Sequence, residues 1–167
     1  METNVPNEQT KQRHGFVTFW LWLGIIGSVI SIPSSIFSYN QLTNLGYAGM
    51  QLINAGVDLG SFQFAIQIHT EMMMLIGAVS GILMIVFSLK ILHWKKNGFW
   101  GMVITAGFTS ILNMIVLYMI QNDYLQIGLT INLNPITTVI ATPLCIFILW
   151  AILQIKKNGV SCWEQLD

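Results

Sequence analysis

Few side chains in this sequence could take part in chemistry, and spacing decides which of them could act together. His69 and Glu71 stand two positions apart at the start of a long apolar run. An ionisable pair beside hydrocarbon suggests a proton relay or a metal site. Residues two apart on one helix point about 200° apart, however, so the two cannot share a site. Each is therefore expected to reach interfacial water. Asn113 falls near the middle of the third apolar run. Its amide could meet a substrate or ion, or it could bond across to another helix. The interhelical bond is preferred, because no charged residue lies at its depth in any run. His14 and His93 sit at the ends of adjacent runs, where they are expected at the interface rather than as haem ligands. Met72, Met73 and Met74 are consecutive, so they splay around a helix instead of converging on copper. They are read as adaptable apolar filling.

Hydrolase, phosphate-loop and zinc-protease motifs are absent, and no apolar run holds paired carboxylates. Catalysis is not expected, nor is a cofactor or a metal. His69, Glu71 and Asn113 are left as the polar candidates.

These residues must be positioned by a chain of unusual composition. It is 54% hydrophobic and 8% charged, against roughly 25% charged in ordinary soluble domains. So few charges cannot cover a water-exposed surface of this size. Seven basic and seven acidic residues cancel, so no nucleic-acid footprint is present. The two cysteines, Cys145 and Cys162, do not form a disulfide framework.

Four apolar runs are long enough to be spanning helices at ~20 residues each. They cover about 16–38, 69–94, 99–121 and 135–155. The sequence thus predicts an all-α fold, a single membrane domain in which two hairpins form a four-helix bundle. A basic turn at 95–98 joins the second and third runs. The connections at 39–68 and 122–134 contain no Lys or Arg. Leu45, Leu52 and Leu59 recur every seven residues in the first, predicting a short amphipathic helix along the outer surface; its glycines weaken a helix and leave an irregular loop packed on the bundle as the alternative. With an even number of spans, all seven Lys and Arg residues fall on one side. That side is cytoplasmic by the positive-inside rule, and so are both termini.

Helix pairing in lipid depends on small residues that admit close approach. Each run carries such a seam: Gly24, Ser28, Ser31 and Ser35; Thr70, Gly77, Gly81 and Ser88; Gly101, Thr105, Thr109 and Asn113; Thr138, Thr142 and Cys145. These seams are expected to face inward. His14-Gly15-Phe16 and Asn97-Gly98-Phe99 suggest an internal repeat of two hairpins, each closed by Lys-Lys-Asn-Gly. Trp163 is read as an interfacial anchor.

The strings Lys95-Lys96-Asn97-Gly98-Phe99-Trp100-Gly101, Leu153-Gln154-Ile155-Lys156-Lys157-Asn158-Gly159 and Trp163-Glu164-Gln165-Leu166 resemble those of small four-span bacterial membrane proteins of unknown function, Bacteroidetes-type especially. The resemblance covers roughly the latter 60% of the chain. It implies a multi-pass inner-membrane protein and no particular activity.

The functional expectation is a non-enzymatic accessory or interaction protein, of immunity type for example, that uses the outer connection 39–68. Its partners would be the lipid bilayer and another envelope protein or a second copy. A small oligomeric channel or transporter is the alternative. A membrane enzyme acting on lipid or quinone is the second.

Overall fold

The computed structural model describes residues 13–51, 59–126 and 135–167. Four helices make up most of it: α1 (Gly15–Gln51), α2 (Leu59–Leu92), α3 (Lys96–Gln126) and α4 (Pro135–Leu153). Three of them contain segments long and apolar enough to cross a membrane: Gly15–Ser34, Phe62–Leu92 and Lys96–Gln126. Their outward surface carries Ile104 at 69% and Phe108 at 65% exposure, with Ile30 and Phe64 similarly bare, and Phe147 of α4 is as exposed. Contiguous apolar exposure of this kind is stable in hydrocarbon and not in water.

The helices overrun the predicted runs. α1 continues to Gln51 and α2 begins at Leu59, so most of the expected connection 39–68 is helical continuation rather than a surface helix or loop. Residues 52–58 lie outside the described part. At 1.5 Å per residue, α1 is about 55 Å long, well beyond a ~30 Å hydrocarbon layer. α3 likewise carries on to Gln126, past the expected end at 121. The turn expected at 95–98 is shifted back, since Lys96 already begins α3.

α2 packs extensively on both α1 and α3, α4 packs mainly on α3, and α1 and α4 barely meet. Two glycines set the α2–α3 distance. A methyl group on Gly98 would lie 2.7 Å from the Phe87 carbonyl oxygen and 2.9 Å from the Ile91 nitrogen. One on Gly101 would overlap the Phe87 ring. The buried side chains form two plugs. Val17, Leu21, Ile91, Phe99, Met102, Leu149 and Leu153 pack at the end where α2 turns into α3. Phe62, Ile66, Val116, Ile120 and Tyr124 pack at the other.

The α2–α3 end is stitched by residues distant in sequence. α2 stops in a Schellman arrangement: the Lys95 N–H donates to the Lys90 carbonyl and the Trp94 N–H to that of Ile91. Trp94 takes the left-handed position, at φ 63°, that glycine usually fills. Arg13 compensates. Its guanidinium donates to the Ile91 and Leu92 carbonyls at 3.0 and 2.9 Å and lies 4.3 Å over the Trp94 ring. It thereby gives the Leu92 carbonyl a donor and the Ile91 carbonyl a second one at the negative end of α2.

The tail adds a small non-helical cap that the all-α expectation omits. Strands β1 (Lys156–Lys157) and β2 (Val160–Ser161) pair antiparallel about Asn158 and Gly159, both at positive φ, as a two-residue Asn-Gly hairpin requires. A short 3-10 turn (Trp163–Gln165) follows. Ser161 and Glu164 bond reciprocally, backbone N–H to side-chain oxygen each way, at 2.9 and 3.2 Å. This is a capping box. Its backbone bond holds the Glu164 carboxyl below the usual range, while burial pushes the Cys162 thiol up against the opposing pull of Arg13. Trp163 is held by neighbours on α3. It packs edge-on against Phe99 at 5.1 Å, with the Lys96 ammonium 4.7 Å over its ring. Asp167 closes the cap through backbone bonds to Trp94 and Lys96. The two Lys-Lys-Asn-Gly strings therefore differ, one entering a helix and the other forming a hairpin, and they are not equivalent halves of a repeat.

Candidate functional site

Between the two plugs lies a partly open cavity of about 530 Å³. All four helices line it with members of their small-residue seams. Gly24, Ser28 and Ser31 come from α1, and Thr70, Gly77, Gly81 and Ser88 from α2. α3 gives Thr105, Thr109 and Asn113, and α4 gives Thr142 and Cys145. Helical spacing puts each set on one face, and the four faces meet. They do not all close. Gly81 does bring α1 and α2 together, since a methyl there would sit 3.2 Å from Ser28 and Ser31 atoms. Gly24 and Gly27 have nothing within 4 Å of the same position, so they border open space. Gly101 lies off the cavity, against Phe87. The remaining wall is soft and apolar, with Met73, Met74, Met84 and Met102 beside Trp20 and Leu149.

The cavity's polarity is mild. No charged side chain lines it among the described residues. Ser31 donates its hydroxyl hydrogen to the Ser28 carbonyl at 2.8 Å, Thr70 to Ile66 at 2.6 Å, and Ser80 to Gly77 at 3.0 Å. Hydroxyls bonded back to their own helix have only lone pairs left to offer. Asn113 differs from the interhelical bond expected of it: its Oδ1 is buried and has no partner. An unpaired buried amide oxygen costs about 1–3 kcal/mol.

A second polar feature lies at the plug around Phe62 and Tyr124. His69 Nδ1 and Asp123 Oδ2 are 2.5 Å apart, with side chains 16% and 10% exposed. His69 therefore does not simply reach interfacial water. Its partner was missed because Asp123 is 54 positions away and α3 ends later than the apolar run. The Tyr124 ring meets Phe62 edge-on beside it, at 5.5 Å. Glu71 stays apart and accepts a bond from Gln67 Nε2. The pair does not line the cavity, although its neighbour Thr70 does. A His–Asp pair resembles the oriented base of a hydrolase, but the Thr70 hydroxyl beside it is already spent on Ile66. His14 Nδ1 accepts the Phe16 N–H at the start of α1, and His93 Nδ1 lies 2.7 Å from the Leu89 carbonyl; both rings serve their own helix ends. Among the described residues no group of three His, Cys, Asp or Glu could hold a metal ion. No protein-family model, curated protein or solved structure matches the chain.

Proposed function

We propose that this is a four-crossing integral membrane protein that holds a small lipophilic molecule in its central cavity without transforming it. The observation that carries this is the cavity itself. Its volume falls within the ~300–1,000 Å³ of small-molecule sites, its wall is mostly apolar, and its opening is favoured by the scant contact of α1 with α4. Such a gap would admit a molecule already dissolved in the bilayer. The gathering of Arg13, Lys90, Lys95, Lys96, Lys156 and Lys157 about the α2–α3 turn and tail supports four crossings, with that end and both termini in the cytoplasm. The resemblance to small bacterial proteins favours the inner membrane.

The test is retention. The full chain, extracted gently from native membrane, should carry a lipophile that mass spectrometry detects. Gly24→Phe, which places a ring in open space, should lose it while remaining folded. Equal retention by both proteins would refute the proposal.

A second reading has its own support. α1 and α2 are longer than a bilayer is thick, so their outer ends would stand clear of it and offer a surface to an envelope protein or a second copy. Deleting 44–60 should then abolish partner capture and leave cavity retention intact. Capture that survives the deletion would exclude this surface. The channel and enzyme alternatives draw less support, since among the described residues the cavity wall carries no charge and no nucleophile is paired with a base.

A further inference from the structure

We propose that the α2–α3 end binds an anionic phospholipid of the surrounding leaflet, with Lys90 paired to its phosphate. This rests on α2 and α3 crossing a bilayer and not on the cavity being occupied, since Lys90 does not line it. Lys90 is two residues short of the end of α2, and long side chains on a helix lean toward its N-terminus. The stem accordingly runs back into the span, and the ammonium stands 5.3 Å from the centre of the Phe87 ring, about one turn deeper. Leu83, Val86 and Leu89 on the same stretch of α2 are exposed, so that depth is apolar. An ammonium there is costly unless paired, and among the described residues no carboxylate pairs with it. The neighbouring cations differ: Arg13 is bonded to α2 carbonyls, Lys96 stands over Trp163, and the Lys156 charge acts on Glu164. The position also abuts α3, because a methyl on Gly98 would lie 2.8 Å from Lys90 Cβ. Trp100, in the first turns of α3, is exposed and suits the headgroup level. The sign of the headgroup follows from the surroundings. Among the described residues six cations gather at this end with two acids, Glu164 and Asp167. A choline or ethanolamine ammonium would meet a field of its own sign there, whereas a headgroup charged only at its phosphate would not.

The experiment is a competition. The full chain in detergent is given equal amounts of phosphatidylglycerol and phosphatidylcholine with identical acyl chains, in about 0.15 M ammonium acetate, where diffuse surface attraction is screened. Bound lipid is counted by native mass spectrometry. Phosphatidylglycerol should be retained about fivefold over phosphatidylcholine, the effect of one lysine at a headgroup. Lys90→Gln should bring the ratio to near one and Lys90→Arg should keep it. Lys157→Gln, which removes the same charge from the exposed hairpin, should leave it unchanged. A ratio near one in the wild type would overturn the proposal. So would equal losses in Lys90→Gln and Lys157→Gln, since net charge and not a site would then set the preference. Gly24→Phe should keep the ratio; its loss there would put the lipid in the cavity and overturn the assignment to Lys90. Failure of the lipid preference leaves the cavity reading standing, because that reading is judged by the lipophile Gly24→Phe should release. Melting supplies a second readout: phosphatidylglycerol should stabilise the wild type and not Lys90→Gln, while the two melt alike in phosphatidylcholine. A variant that melts lower in phosphatidylcholine and still gains from phosphatidylglycerol would make Lys90 a structural residue and overturn the proposal.

Discussion

Replacing Gly98 with alanine adds one methyl group at the closest approach of α2 and α3. That methyl would stand 2.7 Å from the Phe87 carbonyl oxygen, 2.8 Å from Lys90 Cβ and 2.9 Å from the Ile91 nitrogen. Two of these are backbone atoms inside a helix and cannot swing aside. Relief requires the helices to part by roughly half an ångström, which disturbs contacts along their length. Overpacking of this kind costs about 1–3 kcal/mol. A gain in helix propensity would normally offset ~1 kcal/mol, but Gly98 is in the first turn of α3, where the gain is smaller. A net loss of about 2 kcal/mol is expected. Gly24→Ala is the control: its methyl meets nothing within 4 Å, so it should stabilise by roughly 0.5–1 kcal/mol. Gly101→Ala should fall between them, because the overlapping atoms belong to the Phe87 ring, which can rotate. The assay is unfolding in detergent micelles followed by helical circular dichroism. A separation near 3 kcal/mol corresponds to about 6–12 °C at this chain length. If Gly98→Ala melts with or above Gly24→Ala, the close approach of α2 and α3 is wrong.

Other expectations follow from the two ends. Arg13→Met should lower stability by about 2 kcal/mol through two lost charge-assisted bonds, and Arg13→Lys should restore only part of it, measured by the same melt. At the outer end, His69→Ala and Asp123→Ala should each cost about 2 kcal/mol after allowance for partial exposure; the double variant should cost clearly less than their sum, and strict additivity would deny the pair. Glu164 has a depressed carboxyl, so its contribution is present above the ordinary carboxyl range and is lost as pH falls through its own lower value. Proteolysis of the tail should accordingly rise below about pH 4.5, and Glu164→Gln should be cleaved faster than wild type near neutrality and lose most of that acid response. Cys162, buried and with its thiol pushed up, should react with maleimide near pH 7.5 far more slowly than after denaturation.

Much of the helical plan was legible because hydrophobic length is a strong signal. The helix ends were not. Residues 39–51 and 59–68 mix Gly, Gln and Asn with apolar residues, so hydropathy fades there although the backbone continues in helical geometry. The same fading hid Asp123, assigned to a connection when it is a buried helical residue. The seams could be read from spacing, which gives direction. Spacing says nothing about the distance between helix axes, so close packing at Gly81 and open space at Gly24 looked alike. The tail carried readable signals that hydropathy drowned: Asn158-Gly159 between short β-prone pieces, and Ser161 three residues before Glu164. Trp94 at a glycine-type position could not have been foreseen, because the residue that makes it tolerable, Arg13, is some 80 positions earlier.

That clasp around Trp94 has a bearing on biogenesis. Its parts are translated well apart in time: Arg13 first, then residues 91–96, then 162–167. The first helix can enter the bilayer early, yet its anchor is not complete until the second has been made. The cap over both must wait until residues 162–167 have left the ribosome. Quality-control proteases would therefore meet a nascent form whose α2–α3 end is still unsealed, and chains stalled before residue 160 should be cleared faster than those that carry the cap.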